Sequence, residues 1–147
     1  MFLGLVTFGQ CEVGSIAPRA ISLGDHEERL RGPTWAITAQ KSRVPMEVCE
    51  TLQLDDLVLC GEGRLSNHDE IRSSLGLPRD ASVLRTVAAS FRAWGEGFAA
   101  RLRGSFALGL WQPESQTLRL YRDHFGTIPL YFWSTDDSVC FSSALPP

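Results

Sequence analysis

An α+β fold with antiparallel sheet is what this sequence predicts, because strand patterns come first, helical patterns follow, and strand patterns return. The return is sharpest after Gly104. Upstream, Val83, Leu84, Val87, Phe91 and Trp94 recur at helical spacing. Downstream the period is two: Phe106, Leu108 and Leu110 point one way, and Ser105, Ala107 and Gly109 point the other. That strand has one bulky and one small face.

Each element has its own signal. Leu3 to Phe8 is short and apolar and stops at Gly9, as a buried strand does. Residues 11–33 mix Gly, Pro, Ser and charge around Arg19 to Leu23, which allows one strand and a loop. Trp35 to Ala39, Met46 to Cys49 and Asp56 to Cys60 are the next strands. Asn67 is placed to cap a short helix with Glu70 completing a capping box, and Gly76 ends it. Asp80 opens a second helix that Gly95 terminates, and a third short helix spans Phe98 to Leu102. Thr117 to Arg122, Ile128 to Trp133 and Val139 to Ser142 then read as strands separated by polar turns.

Composition narrows the function classes. With 147 residues, 44% hydrophobic and 21% charged, the chain fits one globular domain over residues 1–147. Fourteen basic residues against seventeen acidic ones leave a net charge of −3 with no long run of one sign. Nothing there attracts nucleic acid or an anionic membrane surface. No stretch reaches the roughly 18 apolar residues of a membrane span, and the N-terminus lacks the basic region of a signal peptide. Cys11, Cys49, Cys60 and Cys140 are widely spaced, which suits reduced thiols in a cytoplasmic protein and offers no metal or cofactor site.

Three runs carry a family resemblance. They are Trp94-Gly95-Glu96, Arg101-Leu102-Arg103-Gly104-Ser105-Phe106-Ala107 through Trp111, and Arg122-Asp123 through Gly126, Pro129, Leu130 and Tyr131. With Gly61-Glu62 and Asn67-His68-Asp69-Glu70-Ile71-Arg72 upstream, they resemble the N-terminal glutaminase domain of the asparagine synthetase superfamily. Gly63, Arg64, Leu65 and Ser66 stand where that family has two residues. The resemblance implies a four-layer αββα N-terminal nucleophile hydrolase sandwich of two antiparallel sheets. Most matched residues are then structural: Trp94, Phe106, Trp111 and Tyr131 belong in the core, and Arg122-Asp123 supports a turn.

The chemistry of that family needs a cysteine at the mature N-terminus, whose thiolate attacks the glutamine amide while an Asn side chain and a Gly amide stabilise the oxyanion. At the cysteine's position this chain has Phe2, which offers no nucleophilic atom. Cys60 replaces the Asn before Gly61 and Glu62. Losing one oxyanion donor typically costs about 100- to 1000-fold in rate. A vestigial glutamine pocket is implied at Arg31, Gly61, Glu62 and Asp80. Arg31-Gly32-Pro33 resembles the carboxylate clamp, although a loop arginine fits equally well. Asp80 resembles the acid that receives the amino group, although a helix cap is the preferred reading.

The family comparison leaves three functions. Lasso peptide cyclases and β-lactam synthetases in the same superfamily also lack the cysteine and need no ammonia, so an inactive glutaminase-like domain would support or dock on an adenylating, asparagine synthetase-like domain or chain. In isolation it would form a homodimer. Phe141-Ser142-Ser143-Ala144-Leu145 resembles the family's F-A-S-E-I near the junction with the synthetase domain, and no pyrophosphate loop for ATP is present. The second reading is a free-standing module that binds a ligand in the old pocket. The third is an amidotransferase activated by processing at Cys11, against which Cys60 still counts.

Overall fold

The N-terminal strand takes a central place in its sheet, because its apolar residues need neighbours on both edges and cover on both faces. A computed structural model describes residues 1–7, 27–40 and 48–144. Strand β1 (Phe2–Thr7) pairs antiparallel with β3 (Trp35–Gln40) on one side and with β9 (Ser138–Ser142) on the other. β2 (Glu27–Gly32) and β8 (Tyr131–Ser134) complete a five-stranded sheet of order β2-β3-β1-β9-β8. The second sheet is a simple meander: β4 (Val48–Gln53), β5 (Val58–Leu65), β6 (Gly104–Gln112) and β7 (Thr117–Arg122), all antiparallel. Its helical insertion between β5 and β6 holds α1 (His68–Ser74), α2 (Val83–Trp94) and a 3₁₀ segment, Gly95–Arg101.

Two apolar clusters glue these layers. Phe106, Leu108 and Leu110 of β6 join Leu59 and Leu65 of β5 under Ile71 of α1, Leu84, Val87 and Ala88 of α2, and Phe98 of the 3₁₀ segment. The opposite face of β6, Ala107 and Trp111, meets Phe2, Val6, Ile37, Ala39 and Phe141 of the other sheet. The described residues therefore form an α+β sandwich with the order helices, sheet, sheet. The bulky face of β6 lies beneath the helices. On its other face Ala107, Gly109 and Trp111 are buried too, between the two sheets.

Several sequence expectations are corrected in detail. Asn67 occupies the N-cap position of α1 but makes no capping bond. Its amide instead donates to the Arg101 carbonyl (2.9 Å) and accepts from the Arg103 amide (2.9 Å), fastening the 3₁₀ segment to α1. Asp80 neither opens nor caps α2. The Ala81 amide bonds to the Pro78 carbonyl in a turn (3.1 Å), the chain then extends at Ser82, and the Ser82 hydroxyl accepts from the Arg85 amide (3.3 Å). A second acceptor, Glu50 of β4, takes the Leu84 amide at 3.2 Å. The third helix is the 3₁₀ segment, begun by Gly95. Tyr131 is exposed rather than in the core, because β8 lies at the sheet edge.

The end of α1 follows the sequence signal closely. Gly76 adopts φ +65°, its amide bonds to Ser73, and the Leu77 amide reaches back to Arg72 (3.0 Å). This reversal needs a left-handed residue, which glycine adopts without strain. Phe8, Cys11, the run Arg19 to Leu23, and Leu145 lie outside the described residues.

Candidate functional site

The first residues of β1 sit where the two sheets come together. The Phe2 ring has no exposed surface and meets Phe141 edge-on, with centroids 6.1 Å apart. Its backbone is held from β9 and beyond. The Phe2 amide donates to the Ser143 hydroxyl (2.9 Å), while the Ser143 amide (3.1 Å) and the Ser142 hydroxyl (3.0 Å) both donate to the Phe2 carbonyl. The Ser143 hydroxyl in turn donates to the Glu62 carboxylate. The Met1 ammonium lies 3.2 Å from the same carboxylate, and Cys49 donates its thiol to the Met1 carbonyl.

Cys60 belongs to the same buried cluster as Phe2. Strand alternation puts Val58, Cys60 and Glu62 on the face toward the other sheet, with Leu59 and Gly61 beneath the helices. The Cys60 thiol donates weakly to the Gly109 carbonyl at 3.9 Å. Burial pushes it far above the ordinary thiol value of 9.0, against the smaller opposing effect of that contact. At neutral pH it is a protonated, enclosed thiol with none of the electropositive setting that activates cysteine.

Gly61 faces α2. A Cβ there would lie 2.7 Å from Leu108 and 2.9 Å from Leu84, so the close approach of helix to strand requires glycine. Gly61 and Glu62 line a space with Leu84, Phe106 and Leu108 of only about 10 Å³. That is roughly the room of one water molecule. Arg31 is exposed in β2, opposite Ala36 near the β2–β3 hairpin. Asp80 is exposed on the helical layer, in a groove of about 490 Å³ with Leu54, Leu77, Ala81, Arg85 and Arg92. The groove at Asp80 and the space at Gly61 and Glu62 have different linings.

The structure thus brings Phe2, Cys60 and Glu62 together. It also adds Cys49, Ser142 and Ser143, which sequence reasoning did not assign to the site. For the serines the only signal was their place in the run resembling F-A-S-E-I. Cys49 carried none, since its contact with Met1 spans 48 positions.

This geometry places the leading residue of the first strand against the sheet whose strand β5 carries Gly61-Glu62, and the sequence comparisons point to the same kind of domain. Residues 34–147 match the family described as glutamine amidotransferase domain. The chain belongs to that family. The amidotransferase domain is 34% identical over 85 residues to asparagine synthetase [glutamine-hydrolyzing] 1 of Bacillus subtilis, which covers 55% of this chain and 13% of that protein. It is 28% identical over 145 residues to a putative asparagine synthetase [glutamine-hydrolyzing] of Mycobacterium tuberculosis H37Rv, covering 80% of this chain and 22% of the relative. With a probable asparagine synthetase [glutamine-hydrolyzing] of Dictyostelium discoideum the values are 26%, 91% and 27%. The amidotransferase domain spans about a quarter or less of these curated relatives.

Two further features bear on partners and location. No helix among the described residues is long and apolar enough to cross a membrane. No cluster of three or more His, Cys, Asp or Glu that could hold a metal occurs among them.

Proposed function

We propose that this amidotransferase domain does not hydrolyse glutamine and acts as a structural or docking partner of an ATP-dependent, asparagine synthetase-like enzyme that forms amides, of the lasso cyclase kind or a related biosynthetic type. One observation carries this reading: at the place of the family's nucleophile, Phe2 is wholly enclosed against Phe141 as part of the core. Cys60 supports it, since its thiol turns into the sandwich and is bound to Gly109 rather than presented to a substrate. The partner follows from the relatives, in which a matching segment forms part of a much longer asparagine synthetase.

Two alternatives are weaker. Processing at Cys11 would remove β1, the strand that joins β3 to β9, together with buried Phe2 and Val6. A ligand-binding module would have to use an open groove such as that at Asp80, which Gly61 and Glu62 do not line.

Glutamate release from glutamine, measured with purified protein and with its Cys11→Ala variant, tests inactivity. Background rates are expected in both, and a turnover abolished by Cys11→Ala overturns the reading. Co-expression with the asparagine synthetase-like protein of the same source tests partnership. Co-elution and amide formation that needs both chains are expected. A synthetase that is fully active alone and never binds this domain would favour the ligand-binding module.

A further inference from the structure

The edge of the five-stranded sheet carries an unusual surface. β8 reads Tyr-Phe-Trp-Ser, and all four residues are exposed. Phe132 lies opposite Phe141 in the β8–β9 register, so the two share the inner face of the sheet. Yet Phe141 has no exposed surface while Phe132 is 68% exposed. The reason is geometric. Five strands face four, and β8 is the edge strand beyond β9. Tyr131 (38% exposed) and Trp133 (42%) project from the outer face of the same strand. Among the described residues nothing pairs with the outer edge of β8, which contains no charge and no proline and is protected by its shortness alone.

We infer that β8 pairs antiparallel with β8 of a second copy, joining the two five-stranded sheets into one across a twofold axis. Going beyond the docking reading, this assigns a surface and an occupant to self-association. Parity sets the register. A twofold axis perpendicular to the sheet keeps the inner faces on one side, so residues directly opposite must share a face. Centring the pair on Phe132 then sets Phe132 against its own copy and Tyr131 against Trp133 twice. Aromatic side chains meet aromatic side chains in all three pairs, the arrangement that gives cross-strand contacts most of their stabilisation. No like charges meet within the strand.

The area fixes how strong such a dimer can be. At about 150–250 Å² for each aromatic, the exposed parts of Tyr131, Phe132 and Trp133 leave roughly 300 Å² per copy. Twice that, before the paired backbone is added, falls below the 1,200–2,000 Å² of stable complexes and within the weak, transient class. The dimer is therefore weak and concentration-dependent.

Sedimentation equilibrium of the intact chain from about 1 to 500 µM is the test. The expected result is a twofold rise in mass across that range. Phe132→Lys, and separately Trp133→Glu, should weaken association at least tenfold while near-UV circular dichroism stays native. Amide exchange supplies a second measurement. The alternate amides of Tyr131–Ser134 that do not face β9 should gain protection as concentration rises. A chain that stays monomeric throughout, or a dimer unaffected by both substitutions, overturns the inference. Dimer dissociation by an added adenylating chain that itself protects β8 also overturns it, because the edge then belongs to that partner. Glutamate release is scored separately, so failure here leaves the inactivity reading intact.

Discussion

Asp123 shows how much one side chain can fix. It is buried, and its carboxylate accepts from the Phe106 amide (3.2 Å), the Phe125 amide (3.0 Å), and both the amide and hydroxyl of Thr127 (3.1 Å each). Burial acts to raise its pKa, but these hydrogen bonds together prevail and hold it below the ordinary value of 3.8. A depressed folded-state pKa contributes stability that is present above the unfolded value and lost as pH falls through the folded one. The Asp123 contribution should therefore persist at neutral pH and disappear only below about pH 3.8, as urea melts across the acid range would read. Asp123→Ala leaves several amides without partners and should cost about 2–4 kcal/mol in the same melts at pH 7. Phe2→Cys places a thiol at the family's position but leaves Cys60 facing Gly109. No glutamate release is expected from it, and the lost ring should destabilise the fold by about 2–4 kcal/mol. Near-family turnover in that variant would show the rest of the site to be intact. The turn-supporting role of Asp123 was legible because it sits inside a spaced run of family residues. The roles of Cys49 and Ser143 were not, since their partners are remote in sequence.

At the scale of elements, α2 separates two readings of its start. Ser82→Ala removes the acceptor of the Arg85 amide and should cost about 1 kcal/mol. Asp80→Ala should leave stability within about 0.5 kcal/mol, as surface changes away from such features do. Equal losses in thermal melts of the two would restore Asp80 as the cap. Gly76→Ala at φ +65° forces a Cβ into the left-handed region and should cost about 1 kcal/mol. These termini also show where sequence reading stops. The glycine at the end of α1 was legible because its requirement is local. Asn67 was misread because its amide is claimed by Arg101 and Arg103, more than thirty positions away. Strand β7 was read at its observed bounds from alternation flanked by turn residues. β8 was placed too early, because Ile128 and Leu130 are apolar for a different reason: they pack on the inter-sheet cluster from the connection before the strand.

At the scale of the whole molecule, the two sheets have opposite wiring. The four-stranded sheet runs β4-β5-β6-β7 in chain order, whereas β1 is completed only by β9. A chain shortened to begin at Cys11 lacks the strand between β3 and β9 and should lose cooperative unfolding, which a flat near-UV melt would reveal. A native, cooperative melt of that fragment would revive the processing reading. The same wiring has a consequence during synthesis on the ribosome. The bond from the Phe2 amide to Ser143 closes a loop of 141 positions. The meander, with its local contacts, has what it needs to form while the chain is still emerging, but β1 must wait for the last strand before its second edge is satisfied. Closing so long a loop is slow compared with hairpin formation. Throughout that interval Phe2 and Val6 stand on an open edge, the stage at which a nascent chain is most exposed to aggregation and to capture by chaperones.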